Sequence, residues 1–123
     1  MSVLILVAHG SRDPRWRASV ENLGRVVNRR LPAEEVRVAF MQFVGPTLPE
    51  AVEAAVRDGH RKANLLPLFM ASAGHVDKDI KPMVSDLARE HPEIELNLMT
   101  PVGEDDLFCD LIIDIATETS RSD

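Results

Sequence analysis

Tyrosine is missing from this chain, tryptophan and cysteine occur once each, and aromatic residues make up only 4% of it. The lone cysteine, Cys109, cannot close a disulfide within the chain and fits a reducing compartment, with the cytoplasm the expected location. No apolar run approaches the ~20 residues of a membrane-crossing helix. The stretch from Met1 to His9 lacks the basic n-region and small-residue cleavage site of a signal peptide. Positive charge is scarce as well: 14 Lys and Arg against 20 Asp and Glu leave a net charge of −6. That balance argues against a nucleic-acid partner, whose phosphates demand a basic surface. What is present, 45% hydrophobic and 28% charged residues in a chain of 123, is enough for one domain with a real core.

The apolar residues fall into four short runs, each followed by an amphipathic stretch. Residues 3–8 are apolar throughout and of strand length. Asp13-Pro14 then supplies an N-cap and a proline at the first helical position, ahead of Trp16, Val20, Leu23, Val27 and Leu31 at helical spacing. Residues 36–43 read as a second strand, broken by Gly45-Pro46. Thr47 and Glu50 have the spacing of a capping box before a face of Leu48, Val52, Ala55 and Val56, and Gly59 is placed to end that helix. Residues 63–69 form the third strand; Asp77 or Asp79 can cap a helix that buries Ile80, Met83, Val84, Leu87 and Ala88. Residues 94–99 form the fourth strand. A last helix over 105–119 is predicted to bury Leu107, Phe108, Leu111, Ile112 and Ile115, so that the domain is 1–119 and 120–123 is a polar tail. Four βα units with apolar strands predict a single three-layer α/β/α domain, with a four-stranded parallel sheet in the flavodoxin-like order 2-1-3-4 and helices on both faces.

In such sheets ligands bind beyond the carboxyl ends of the strands, where strand order reverses, here between strands one and three. His9 ends strand one and His75 follows strand three, each beside a glycine, so two histidines far apart in sequence are expected at one crevice. Imidazole suits divalent cobalt, nickel, iron and zinc. Two such ligands hold a metal only partly, which favours passing it on over storing it. Because only neutral imidazole binds a metal, activity is expected to fall on acidification. Cations flank the crevice, Arg12, Arg15 and Arg17 on one side and Lys78 and Lys81 on the other. Cys109, inside the last helix, reads as core or interface filler, and His60 and His91, at helix ends, read as surface caps.

His9-Gly10-Ser11-Arg12-Asp13-Pro14 after the first strand, with Pro67-Leu68-Phe69, Gly74-His75-Val76 and Asp79-Ile80 after the third, resembles the class II tetrapyrrole chelatases. The similarity is to their short CbiX-type branch and extends over nearly the whole chain, including Pro101-Val102-Gly103. It implies ATP-independent insertion of Co²⁺, Fe²⁺ or Ni²⁺ into sirohydrochlorin, on routes to cobalamin or sirohaem. The metal is then a substrate, and no tightly bound cofactor is expected. The resemblance implies His9 and His75 as catalytic metal ligands. Around the carboxylate-rich macrocycle it and the neighbouring charges suggest Ser11, Arg12, Arg15, Gln42, Ala71, Ser72, Ala73, Gly74, Lys78 and Lys81. Larger relatives carry two such domains in tandem, which implies that this chain forms a homodimer. Many relatives place an acid near the end of the second strand, where this chain has Gln42, an amide that cannot serve as a base. Glu50 and Asp79 are the remaining carboxylates, with no positional argument for either. A metal or tetrapyrrole carrier on the same fold is the alternative that Gln42 keeps open. A flavin protein is disfavoured by the missing Ser/Thr-rich phosphate loop and the missing tyrosines.

Overall fold

The computed structural model describes residues 2–70 and 75–122. Its first strand, β1 (Ser2–Ala8), carries apolar side chains on both faces, which only a central position can bury. It pairs in parallel with β2 (Glu35–Phe40) on one side and β3 (Lys62–Pro67) on the other, and β3 pairs with β4 (Glu95–Leu98). The order is β2-β1-β3-β4, as the sequence pattern predicts. Each parallel step needs a crossover, supplied by α1 (Pro14–Arg30), α2 (Leu48–Arg57) and α3 (His75–Glu90). The chain ends in a 3-10 turn, Val102–Glu104, and α4 (Asp106–Ser122), which continues past the expected end at Thr119.

The helix starts follow the predicted chemistry. Asp13 accepts the Arg15 amide proton at 2.9 Å with Pro14 at the first helical position. The Thr47–Glu50 box closes in both directions, Glu50 N to Thr47 Oγ1 at 3.3 Å and Thr47 N to Glu50 Oε1 at 2.8 Å. The helix α3 departs from expectation: it begins at His75, so Asp77 and Asp79 lie within its first turns rather than capping it.

The packed core lies between the sheet and the α2–α3 pair. Val3, Ile5 and Val7 of β1 meet Leu48, Val52 and Ala55 of α2 and Ile80, Val84 and Leu87 of α3. On the opposite face α1 covers the β2 side, with the Trp16 ring 5.7 Å from that of Phe40. Gly24 is buried in this contact while Leu23 and Leu31, expected inside, are exposed. The close approach at Gly24 turns the inward stripe of α1 onto Trp16, Val20, Gly24 and Val27.

The larger correction concerns α4. It packs mainly on the 3-10 turn, leaving Leu107 73% and Ile115 58% exposed, with Leu111 and Ile112 about half exposed, Phe108 partly buried and Cys109 exposed. The half of the sheet face over β3 and β4 that a helix in this position would cover keeps Met99 and Asn97 exposed, and Leu66 only half buried. Periodicity identified the apolar stripe of α4 correctly but not what lies against it. Among the described residues no helix is long and apolar enough to cross a membrane.

His60 is also corrected: it is 3% exposed, with Nε2 2.6 Å from Glu35 Oε2, because the end of α2 folds down onto the foot of β2. Arg37 ties the same junction together, reaching Glu35 at 2.9 Å and Asp58 at 2.5 Å. His91 follows α3 as expected, but its side chain is largely buried and faces Glu93. Burial works against the Glu35 carboxylate, yet the bonds from Arg37 and His60 outweigh it and hold the carboxyl below its ordinary value. A carboxyl depressed in the folded state adds stability above its unfolded pKa and loses it as pH falls through the folded value. Replacing Glu35→Gln is therefore expected to flatten the acid limb of the stability curve, read by denaturant unfolding from neutrality down through the carboxylate range. Coincident limbs for the two proteins would remove Glu35 from the acid response.

Candidate functional site

The pairing of β1 with β2 does not stop at the strand ends. Met41 donates its amide proton to the Ala8 carbonyl at 2.9 Å and Gln42 to the His9 carbonyl at 3.1 Å, so the two exit loops stay side by side. Gly10 sits at φ +106°, and a Cβ there would fall inside the Gln42 carbonyl; only glycine allows this closure. His9 is thereby held, exposed, at the carboxyl end of the central strand. Its ring centroid lies 4.1 Å from that of Phe69, which is buried just past β3.

Phe69 is fixed from below. Gly103 donates its amide proton to the Phe69 carbonyl at 2.9 Å, and a Cβ on Gly103 would collide with the Met70 backbone. The Pro101-Val102-Gly103 segment singled out in the sequence thus braces the exit of β3.

A cleft of about 390 Å³ opens beside His9, lined by Met41 and Gln42 from the end of β2 and by Lys78, Asp79, Pro82 and Met83 from α3. That volume is at the lower end of the range for small-molecule sites. The four α3 residues stand at i+3, i+4, i+7 and i+8 from His75, the spacing of one helix face. The backbone of His75 opens α3; its side chain, and Ala71, Ser72, Ala73 and Gly74 altogether, lie outside the described residues. Pro82, inside α3, has no amide proton for the Lys78 carbonyl, leaving an oxygen without its helical partner on this helix. A larger cavity, about 720 Å³ between α1 and β2, shares no lining residue with the cleft among the described residues and does not contain His9. Chemistry, not size, distinguishes the two.

The other expected site residues divide. Gln42 and Lys78 line the cleft, and Asp79 joins them, a carboxylate that the sequence presented without a position. Its spacing of four from His75 on one helix was the available signal. Glu50, the other remaining carboxylate, is committed to the capping box, where the Thr47 amide holds its carboxyl below the ordinary value. The Ser11 hydroxyl oxygen accepts the Asp13 amide proton at 3.1 Å and braces the loop. Arg15, 90% exposed at its side chain, closes its guanidinium on the Asp13 carboxylate at 2.8 Å, lowering that carboxyl and raising its own pKa. Arg17 pairs with Glu21 at 3.5 Å. Arg12 instead lies over the Phe43 ring, 4.9 Å from its centroid. Lys81 is exposed on α3 and does not line the cleft. Among the described residues, no three His, Cys, Asp or Glu side chains form a metal-holding group.

A family model described as CbiX matches residues 3–119. The sirohydrochlorin cobaltochelatase of Methanocaldococcus jannaschii is 29% identical over 94% of this chain and 98% of its own. That of Methanosarcina barkeri is 30% identical over 89% of each. A CbiX protein of Marinobacter aquaeolei VT8, solved by crystallography, superposes with a TM-score of 0.87 at 29% identity over the whole of both chains. The sirohydrochlorin chelatase SirB of Bacillus subtilis, in complex with cobalt, shares the fold at 24% identity and a TM-score of 0.76; this chain spans 45% of its length.

The Gly10 closure gives a direct test. Gly10→Ala must break the approach to Gln42 and adopt a positive φ, and is expected to lose about 1–3 kcal/mol of stability in urea unfolding. An unchanged midpoint would show that the two loops are not closed as described.

Proposed function

The chain belongs to the CbiX family, and we propose that it inserts Co²⁺ or Fe²⁺ into sirohydrochlorin without ATP. The observation that carries this reading is the cleft at the end of β1, where an exposed imidazole, a carboxylate and a lysine, His9, Asp79 and Lys78, stand together. Relatives named as sirohydrochlorin cobaltochelatases and ferrochelatases support cobalt and iron; nickel and a pure carrier role find no support there.

In this reading neutral His9 and His75 hold the incoming metal as a substrate. Two imidazoles leave most coordination positions to solvent, so the four nitrogens of the macrocycle can take over the ion without competing against a full protein shell. As the metal enters, two pyrrole N–H protons leave. Asp79 takes the acceptor role that Gln42 cannot fill, and solvent carries the protons away. Lys78 and Arg12 bind carboxylates at the macrocycle edge, Arg12 with its fork open and Lys78 as a point charge. Gln42 faces the ring, while Ser11 and Arg15 shape the loop; the role of the small residues Ala71, Ser72, Ala73 and Gly74 rests on the sequence alone. No cofactor is held by the protein, and the reaction runs in the cytoplasm, where the exposed Cys109 stays reduced.

The active form is a homodimer built on α4. Burying a Leu or Ile side chain contributes roughly 1.5–3 kcal/mol, so covering the four exposed ones of the stripe, Leu107, Leu111, Ile112 and Ile115, on each copy contributes on the order of 10 kcal/mol. That is the size of the entropy lost on association, and the open half of the sheet face adds further apolar area.

Anaerobic absorbance of sirohydrochlorin with each metal, at catalytic protein and against protein-free controls, tests the reaction. The expected result is insertion accelerated through many turnovers, reduced at least about tenfold in His9→Ala, His75→Ala and Asp79→Asn. No acceleration with either metal would overturn the proposal, and near-parental rates in one variant would remove that residue. Sedimentation is expected to give a dimer that Leu111→Glu with Ile115→Glu converts to monomer; a monomeric parent would overturn the dimer.

A further inference from the structure

Phe43 stands where the fold has no structural use for it. It follows Gln42 directly, at φ +72°, in the left-handed region that a bulky side chain adopts only at a cost. Burial does not repay that cost, because the residue is 57% exposed. The described ring contact is with Arg12, whose guanidinium carbon lies 4.9 Å from the ring centroid. Local strain without packing in return, beside a cleft, is the pattern of a residue held for a ligand.

Arg12 fits the same reading. Among the described residues it has no carboxylate partner, whereas the neighbouring Arg15 is closed on Asp13 and Arg17 is paired with Glu21. A guanidinium held over an aromatic face by its charge still has N–H groups to offer a bidentate carboxylate. Both residues are carried by the two loops that the Gln42–His9 hydrogen bond ties together, so their backbone stands beside that of His9.

We propose that Phe43 and Arg12 form a two-part grip at the mouth of the cleft, Phe43 stacking on the conjugated ligand and Arg12 taking a carboxylate at its edge. The ligand class is a flat, conjugated ring system with peripheral acid groups, and the inference rests on the tetrapyrrole reading given above. The grip sets the orientation of the ring over His9. It makes Phe43 a specificity-determining residue that touches substrate without taking part in metal transfer.

The test is a binding titration that needs no turnover. Cobalt-loaded sirohydrochlorin and its fully esterified form are titrated into the parent protein and into Phe43→Ala, Phe43→Gly, Phe43→Tyr and Arg12→Gln, with thermal midpoints measured alongside. The acid form is expected to bind about tenfold more weakly to the Ala and Gly variants and near normally to Tyr. Phe43→Gly relieves the positive φ, so its midpoint is expected to hold or rise while binding falls, which separates ligand contact from folding. Arg12→Gln is expected to weaken the acid form and leave the ester unaffected. With saturating substrate the Phe43 variants keep kcat and raise KM. Parental affinity in Phe43→Ala and Phe43→Gly overturns the grip, as does failure of Tyr to restore binding. If the parent inserts metal while these variants bind normally, the grip fails and the chelatase reading stands; a parent that neither binds nor inserts overturns both.

Discussion

The amide bonds from Met41 to Ala8 and from Gln42 to His9 extend the parallel ladder past the last strand residues, and the position of each loop residue at the cleft follows from that extension. Without it, two loops leaving neighbouring strands would diverge with the twist of the sheet. The close approach demands glycine at residue 10, and a second glycine, residue 103, makes the matching approach beneath the exit of β3. His9 is thus positioned by backbone on both flanks, with the Phe69 ring against it.

The same architecture is finished on one face and unfinished on the other. The α2–α3 face closes over Val3, Ile5 and Val7, whereas α1 covers only the β2 side of the second face and α4 stands off with its apolar stripe exposed. An uncovered strip of sheet and an uncovering helix in one chain are complementary surfaces, which a two-fold axis can satisfy reciprocally. Among the described residues the cleft is lined from the ends of β1 and β2 and from α3. In the proposed homodimer a second copy would meet these uncovered surfaces.

Local chemistry was the most legible part of the sequence. The Asp13-Pro14 start and the Thr47–Glu50 box depend on residues next to one another, and they formed as their spacing requires. Strand order followed from the central apolar run and the βα alternation. Side-chain environments set by distant segments were not legible. His60 looks like a surface cap until Glu35, 25 residues earlier, is folded against it. Leu23 and Leu31 have helical spacing with Trp16, but Gly24 decides which side of the helix can approach the sheet. Asp79 was visible as a carboxylate without a role because its neighbours in the cleft come from three separate elements. The apolar stripe of α4 specifies that something must cover it, and periodicity is silent on what.

Charge completes the argument for how such a cleft selects its ligand. A chain of net charge −6 repels a polyanion over most of its surface. Near the cleft Asp13 is closed on Arg15 and Glu50 on its own helix cap, while Lys78 and Asp79 line the cleft itself and Arg12 lies over Phe43. If Arg12 and Lys78 hold the ligand edge as proposed, general repulsion and local attraction act together, and a carboxylate-bearing ring is favoured where its edge meets those two cations. Specificity then needs no deep enclosure. On the proposed grip a shallow cleft suffices, because the wrong orientations would be disfavoured by the whole surface and the right one held by the Phe43 contact and the Arg12 fork.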